Sequence, residues 1–142
     1  MGSTTWLAVH ALSAAVLAGV GWVVQVVVYP GFALVGEESW QAYHDRHSRA
    51  ITAVVALPWL AQGVSTAVLL IAPPAGRGAW AVVLAVLAAA TVVVTGAAAV
   101  PAHGRLGRGA DRRSEIRRLL RANLVRTVAW TGSAVLAMVL LV

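Results

Sequence analysis

The sequence predicts an all-α integral membrane protein, a four-helix bundle formed by one domain of residues 1–142. Composition is the first reason: apolar residues make up 60% of the chain and charged residues 11%, whereas about a quarter of the residues in a typical soluble domain are charged. The placement of the charges is the second reason. They leave four long, almost uncharged stretches, each close to the roughly 20 residues that a helix needs to cross a bilayer.

The four predicted spans cover residues 5–29, 51–71, 79–100 and 123–142. They contain valine runs that would favour strands in water. In a bilayer the backbone must satisfy its own hydrogen bonds, so we expect helices. Gly36 precedes two acidic residues and predicts the start of a helix that continues into the second span, with a kink near Pro58. Asp111 is expected to begin the fourth helix, and the first span is expected to end at Tyr29-Pro30-Gly31.

The arginines predict which ends of the spans face the cytoplasm. The connections at residues 30–50 and 101–122 contain nine of the eleven arginines, and the chain has no lysine. The turn between the second and third spans contains only Arg77. By the positive-inside rule, we expect both long connections in the cytoplasm and both termini on the outer face of the cell membrane. The same arginines are expected to attract anionic lipid headgroups.

Several functional classes are not expected because the sequence lacks the features that they require. The arginines lie close to the predicted spans without an aromatic platform, so nucleic-acid binding is not expected. The chain has no cysteine, which excludes disulfides and thiolate metal sites. It also has no P-loop, dinucleotide fingerprint, nucleophile motif or haem-attachment sequence, so no nucleotide cofactor is expected.

Polar and aromatic side chains recur at one depth, near the cytoplasmic end of the spans. Depth follows from the helical rise of about 1.5 Å per residue. Polar groups within a span usually face the bundle interior, although an arginine near the interface can also snorkel, and amides often hydrogen-bond between helices. We expect a substrate pocket here, formed by Trp22, Gln25 and Tyr29 of the first span and by Asn123, Arg126 and Trp130 of the fourth.

Three of the four histidines are expected at the same level. His44 and His47 lie three residues apart, which places both imidazoles on one helical face, and His103 follows the third span. Three imidazoles with an open position suit Cu, Fe or Zn, and Glu37 can complete a mixed ligand set. The same histidines can serve as acid and base without a metal, or simply lie solvated at the interface. The sequence leaves these alternatives open.

Two segments resemble those of a known group of proteins. The first is QVVVYPGF at residues 25–32, and the second is NLVRTVAW at residues 123–130. Together with a histidine-bearing second helix, they resemble the small four-helix membrane proteins grouped with anthrone oxygenases. The resemblance implies oxidative tailoring of polyketides and related natural products. It implies family positions at Tyr29, Pro30, Asn123, Arg126 and Trp130, and it supplies no catalytic set.

These expectations favour an integral membrane enzyme that oxidises a hydrophobic small molecule. His44, His47, His103 and Arg126 would be its catalytic residues, with Arg126 orienting a polar group of the substrate through its planar guanidinium. A cofactor-free cyclase or isomerase would use the same residues. The alternative from another class is a non-catalytic lipid-binding or accessory membrane subunit. Small-residue patches such as residues 88–90 and 96–99 also permit a homo-oligomer.

Overall fold

Four long helices joined by short connections form the framework of the computed structural model, which describes residues 2–142. No strand occurs within this range. All four helices are long and apolar enough to cross a membrane. The all-α class and the number of candidate spans are therefore confirmed. We label the helices α1 (Ser3–Phe32), α2 (Glu37–Ile71), α3 (Gly78–Gly107) and α4 (Arg112–Val139).

The helices alternate in direction around the bundle. Each packs against its neighbours in the sequence, and α4 closes the ring by packing along α1. The connections at residues 33–36 and 108–111 lie at one end of the bundle, which we call the basic end because most arginines surround it. The connection at residues 72–77 and the C-terminus lie at the other end, where the Arg77 guanidinium donates to the Leu140 carbonyl.

Local chemistry sets the helix starts at the basic end. Gly36 is extended and precedes two acidic residues, whose charges complement the dipole of α2. Gly109 has a φ of 80°, in the left-handed region that favours glycine. The Asp111 carboxylate accepts a hydrogen bond from the Ser114 N–H at 3.0 Å and caps α4. Both predicted helix starts are confirmed.

Two helices contain a π-helical segment shortly before a proline. These segments are Val24–Val28, before Pro30, and Thr95–Ala99, before Pro101. A proline lacks the N–H, and its ring clashes with the carbonyl four residues earlier, so a wider turn relieves the clash. The sequence predicts that the first span ends at Tyr29-Pro30-Gly31, and the helix α1 passes this proline and continues to Phe32.

In the middle of the bundle, the outer surface is more apolar than the interior. Leu57 of α2 and Val93 of α3 face outward with 75% and 64% exposure, whereas His10 and Asn123 are buried. Soluble domains usually bury their large apolar residues and expose their polar ones. Polar residues that face the interior are typical of membrane-spanning bundles. The side-chain pattern therefore agrees with four candidate membrane spans.

Candidate functional site

A cavity of about 350 Å³ lies between the four helices, towards the basic end. Part of its wall is polar and is formed by Tyr29, His103, Asn123 and Arg126, whereas most of the remaining wall is apolar. Small-molecule sites are typically apolar cavities of about 300–1,000 Å³ with a few convergent polar groups. The cavity is therefore the candidate site, and four of the predicted site residues line its polar part.

Tyr29 and His103 begin a row of hydrogen-bonding groups that leads from the cavity towards the bundle surface. The Tyr29 hydroxyl lies 3.2 Å from His103 Nε2, and His103 Nδ1 lies 3.2 Å from His44 Nε2. His44 Nδ1 is 3.8 Å from the Asp45 carboxylate, whose side chain is 48% exposed. A neutral imidazole donates from one nitrogen and accepts at the other. This row can therefore pass a proton from the cavity as far as His44, whose Nδ1 is buried and has no hydrogen-bond partner among the described residues.

His47 belongs to the same cluster but lies beside this row. Its ring stacks on the His103 ring at a centroid distance of 6.1 Å, and Phe32 packs edge-on against it at 4.9 Å. His47 Nε2 is buried and has no hydrogen-bond partner among the described residues. Sequence reasoning did not single out Phe32, which reaches the histidines only because α1 continues past Pro30.

The three predicted histidines come together in one cluster. Within residues 2–142, no group of three or more His, Asp or Glu residues is arranged to hold a metal ion. Glu37 lies apart from the histidines, with a 91% exposed side chain that pairs with Arg112 at 3.0 Å. The contacts within the histidine cluster are a hydrogen bond and ring contacts, and such contacts suit proton transfer.

Arg126 is fixed on the cavity wall by two hydrogen bonds. Its Nη1 donates to Thr95 Oγ1 and its Nη2 to Asn123 Oδ1, both at 3.1 Å. The guanidinium carbon lies 5.5 Å from the Trp130 ring centroid, within cation–π range. Its Nε is buried and has no hydrogen-bond partner in the described chain. Thr95 was not identified from the sequence, because threonine is common in apolar helices.

Asn123 ties this arginine to α1. While its Oδ1 accepts from Arg126, its Nδ2 donates to the Gly21 carbonyl at 3.0 Å and to Gln25 Oε1 at 2.9 Å. Asn123 is only 1% exposed. Gln25 lies behind Asn123 and outside the cavity wall. It therefore supports the site indirectly.

The two tryptophans that the sequence assigns to the pocket have different surroundings. Trp130 is buried, lines the cavity and donates its indole N–H to Gln62 Oε1 at 3.1 Å. Trp22 is 42% exposed and donates to Thr131 at 3.2 Å, outside the cavity wall. The second tryptophan that lines the cavity is Trp59 of α2, whose ring packs edge-on against the Trp130 ring at a centroid distance of 6.4 Å.

His10 forms a separate polar cluster further from the basic end. The sequence predicts that His10 hydrogen-bonds to Gln62 or Thr66 and stays outside the site. His10 Nδ1 lies 3.3 Å from the hydroxyls of Ser65 and Thr66, and its Nε2 lies 2.8 Å from Ser133 Oγ. The prediction is confirmed through Thr66. His10 does not line the cavity.

Comparisons of the chain with protein-family models, curated proteins and solved structures found no match. Fold and site together define a class: an all-helical chain with four candidate membrane-spanning helices around a cavity with one polar wall. Its function is therefore argued from the chemistry of that wall.

Proposed function

We propose that the protein is an integral membrane enzyme that carries out an oxidative tailoring step on a flat, hydrophobic small molecule. One observation carries the proposal: a fixed arginine and a tyrosine–histidine row face the same apolar space. The bundle crosses the cell membrane with its basic end in the cytoplasm. Nine arginines within residues 30–50 and 101–122, against Arg77 alone in the opposite turn, support this orientation.

Arg126 binds the polar group of the substrate, which is a carbonyl, a carboxylate or a phenolate. Its Nε–H is the donor without a protein partner among residues 2–142. Because Thr95 and Asn123 already hold the guanidinium, little side-chain entropy is lost when a ligand binds. The apolar body of the substrate lies against the rings of Trp59 and Trp130.

The row from Tyr29 to His44 acts as acid and base. It removes a proton from a methylene carbon that is conjugated with the substrate carbonyl, and Arg126 stabilises the negative oxygen of the resulting enolate. The proton moves through His103 to His44 and leaves towards Asp45.

Dioxygen is the oxidant in this proposal. The enolate carbon adds O₂ and becomes a hydroperoxide after protonation, and loss of water then leaves a carbonyl. In sum, one CH₂ group and one O₂ give one C=O group and one water. The same first step without dioxygen describes a cofactor-free isomerase or cyclase, in which the row returns the proton to another substrate atom.

Deuterium exchange into anthrone, a flat aryl ketone with an acidic methylene, tests the shared first step. The purified protein is placed in nanodiscs in D₂O under argon, and deuterium uptake is measured by mass spectrometry. We expect the wild type to accelerate exchange and His103→Gln to lose about 10²–10⁴-fold of that acceleration. Arg126→Gln should also lose activity. Arg121→Gln changes an exposed arginine of the same helix and should retain it.

Oxygen uptake and quinone formation are then measured in air. Exchange without oxygen uptake would favour the isomerase or cyclase. Binding without any exchange would favour the non-catalytic lipid-binding or accessory subunit. Wild-type exchange in His103→Gln would contradict the acid–base role.

A further inference from the structure

We propose that the substrate enters the cavity sideways from the bilayer, through a groove between α2 and α3. Ala56 and Trp59 form the portal between this groove and the cavity. The inference rests on the proposed function, because it takes the occupant of the groove to be the hydrophobic substrate on its way to the site. It adds a route and two residues that control access.

The groove has a volume of about 790 Å³ and lies on the outside of the bundle. Small residues from both helices line it, including Gly63 and Ala67 of α2 and Ala88 of α3. Helices α2 and α3 also pack against each other less extensively than α1 and α4 do. The groove is larger than the cavity, so a molecule that fits the cavity can also occupy the groove.

The groove is continuous with the cavity wall. Ala56 and Trp59 line both spaces. Ala56 is exposed and contributes only a methyl group, whereas Trp59 is partly buried and packs edge-on against Trp130 inside the cavity. Rotation of the Trp59 side chain would therefore join the two spaces.

The exposed part of the cavity wall lies on the same side. Of the residues that line the cavity, Thr52, Ala56 and Val100 are exposed, the last of them by 62%. They belong to α2 and α3. The cavity-lining residues of α1 and α4 are buried or partly buried. The opening of the cavity is thus between α2 and α3.

A second groove, between α1 and α2, is the competing route. It has a volume of about 430 Å³ and shares Val20, Val24 and Ile51 with the cavity. All three are β-branched residues that are buried or partly buried. β-branched side chains have few rotamers, so this boundary is a closed wall, in contrast to the boundary at Ala56.

Two glycines allow each groove to be filled separately. Gly63 lies in the α2–α3 groove and Gly19 in the α1–α2 groove, and a Cβ added at either position meets nothing within 4 Å. Neither glycine lines the cavity. Gly63→Phe and Gly19→Phe are therefore matched substitutions that change access without changing the site.

Anthrone binding to the protein in nanodiscs is followed by stopped-flow quenching of tryptophan fluorescence. We expect Gly63→Phe to lower the association and dissociation rate constants together, each by roughly tenfold. The Kd should stay unchanged, because a blocked route alters the path and leaves the site intact. Gly19→Phe should behave as the wild type does. Circular dichroism melting curves confirm that both variants are folded.

Wild-type rate constants in Gly63→Phe, or slowing in Gly19→Phe alone, would overturn the portal and leave the proposed function standing. A weaker Kd in Gly63→Phe would also overturn it, since the groove would then be part of a binding site. Loss of a dimer in Gly63→Phe, seen by cross-linking, would reassign the groove to contact between two copies. Absence of anthrone binding by the wild type would overturn both proposals.

Discussion

Gly21 is the residue that lets α1 and α4 approach closely beside the site. A Cβ at this position would collide with Thr127 Oγ1. The Gly21 carbonyl also accepts the hydrogen bond from Asn123 that anchors Arg126. The lack of a side chain at Gly21 therefore sets both the helix spacing and the position of the cavity wall.

Gly21→Ala should destabilise the bundle by about 1–3 kcal/mol, the usual cost of overpacking a close contact. The free energy of unfolding, measured in detergent by denaturant titration, checks this. Gly19→Ala is the control on the same helix, because its Cβ would meet nothing within 4 Å. Adding Thr127→Ala to Gly21→Ala should restore most of the loss. Equal stability of the two glycine variants would contradict the close approach.

At the residue scale, the sequence predicted how deep a side chain lies in the bundle better than which way that side chain points. Counting along helices was enough to bring His44, His103 and Arg126 to one level, because depth depends only on the rise per residue. Direction depends on helical phase, and the π-helical segment at Val24–Val28 changes that phase. Trp22 precedes this segment, so it does not share the face that regular α-helical spacing predicts.

At the element scale, the two π-helical segments, one in α1 and one in α3, position side chains of the site. Val24–Val28 precedes Tyr29, and Thr95–Ala99 contains the Arg126 acceptor Thr95 and precedes His103. π-helical turns inside α-helices frequently occur at functional sites. Nothing in the apolar runs themselves marks these turns. The prolines after them are the only cue in the sequence, and α2 shows that this cue is insufficient, since it remains α-helical at Pro58.

Pro30→Ala should impair the site with little loss of helix content. Without the proline, α1 can close into a regular α-helix, which would rotate Tyr29 away from His103 and break their hydrogen bond. Small displacements of a reacting group can cost about 100-fold in rate, and we expect a loss of this order in anthrone deuterium exchange. Pro58→Ala is the control. Wild-type exchange in Pro30→Ala would show that tertiary packing, and not the proline, holds the π-helical turn.

At the scale of the whole molecule, the histidines belong to two separate polar clusters. The Tyr29–His103–His44 row lies at the basic end, and the His10 cluster lies further along the bundle. Between them, the Trp130 indole N–H donates to the Gln62 amide oxygen. An indole N–H is a donor only, so it cannot continue a proton relay from one cluster to the other. This favours a site with access from one face over a transport path.

Arginine placement at the two ends of the bundle leads to a prediction of membrane orientation. The chain lacks cysteine, so a single cysteine introduced by substitution is the only thiol that a maleimide can label. Arg113 lies near the start of α4 at the basic end and Ala75 in the α2–α3 connection, and both are exposed. With the basic end in the cytoplasm, as the positive-inside rule requires, a membrane-impermeant maleimide should label Ala75→Cys on intact cells. Arg113→Cys should react only after the membrane is permeabilised.

The opposite labelling pattern would place the arginines outside the cell and contradict the positive-inside argument. It would also place the site at the outer face of the membrane, because the Tyr29–His103–His44 row would then exchange protons with the external medium. Labelling of both cysteines on intact cells would contradict membrane insertion as a single bundle with one orientation. Labelling of Ala75→Cys alone would place the histidine row at the cytoplasmic face of the membrane.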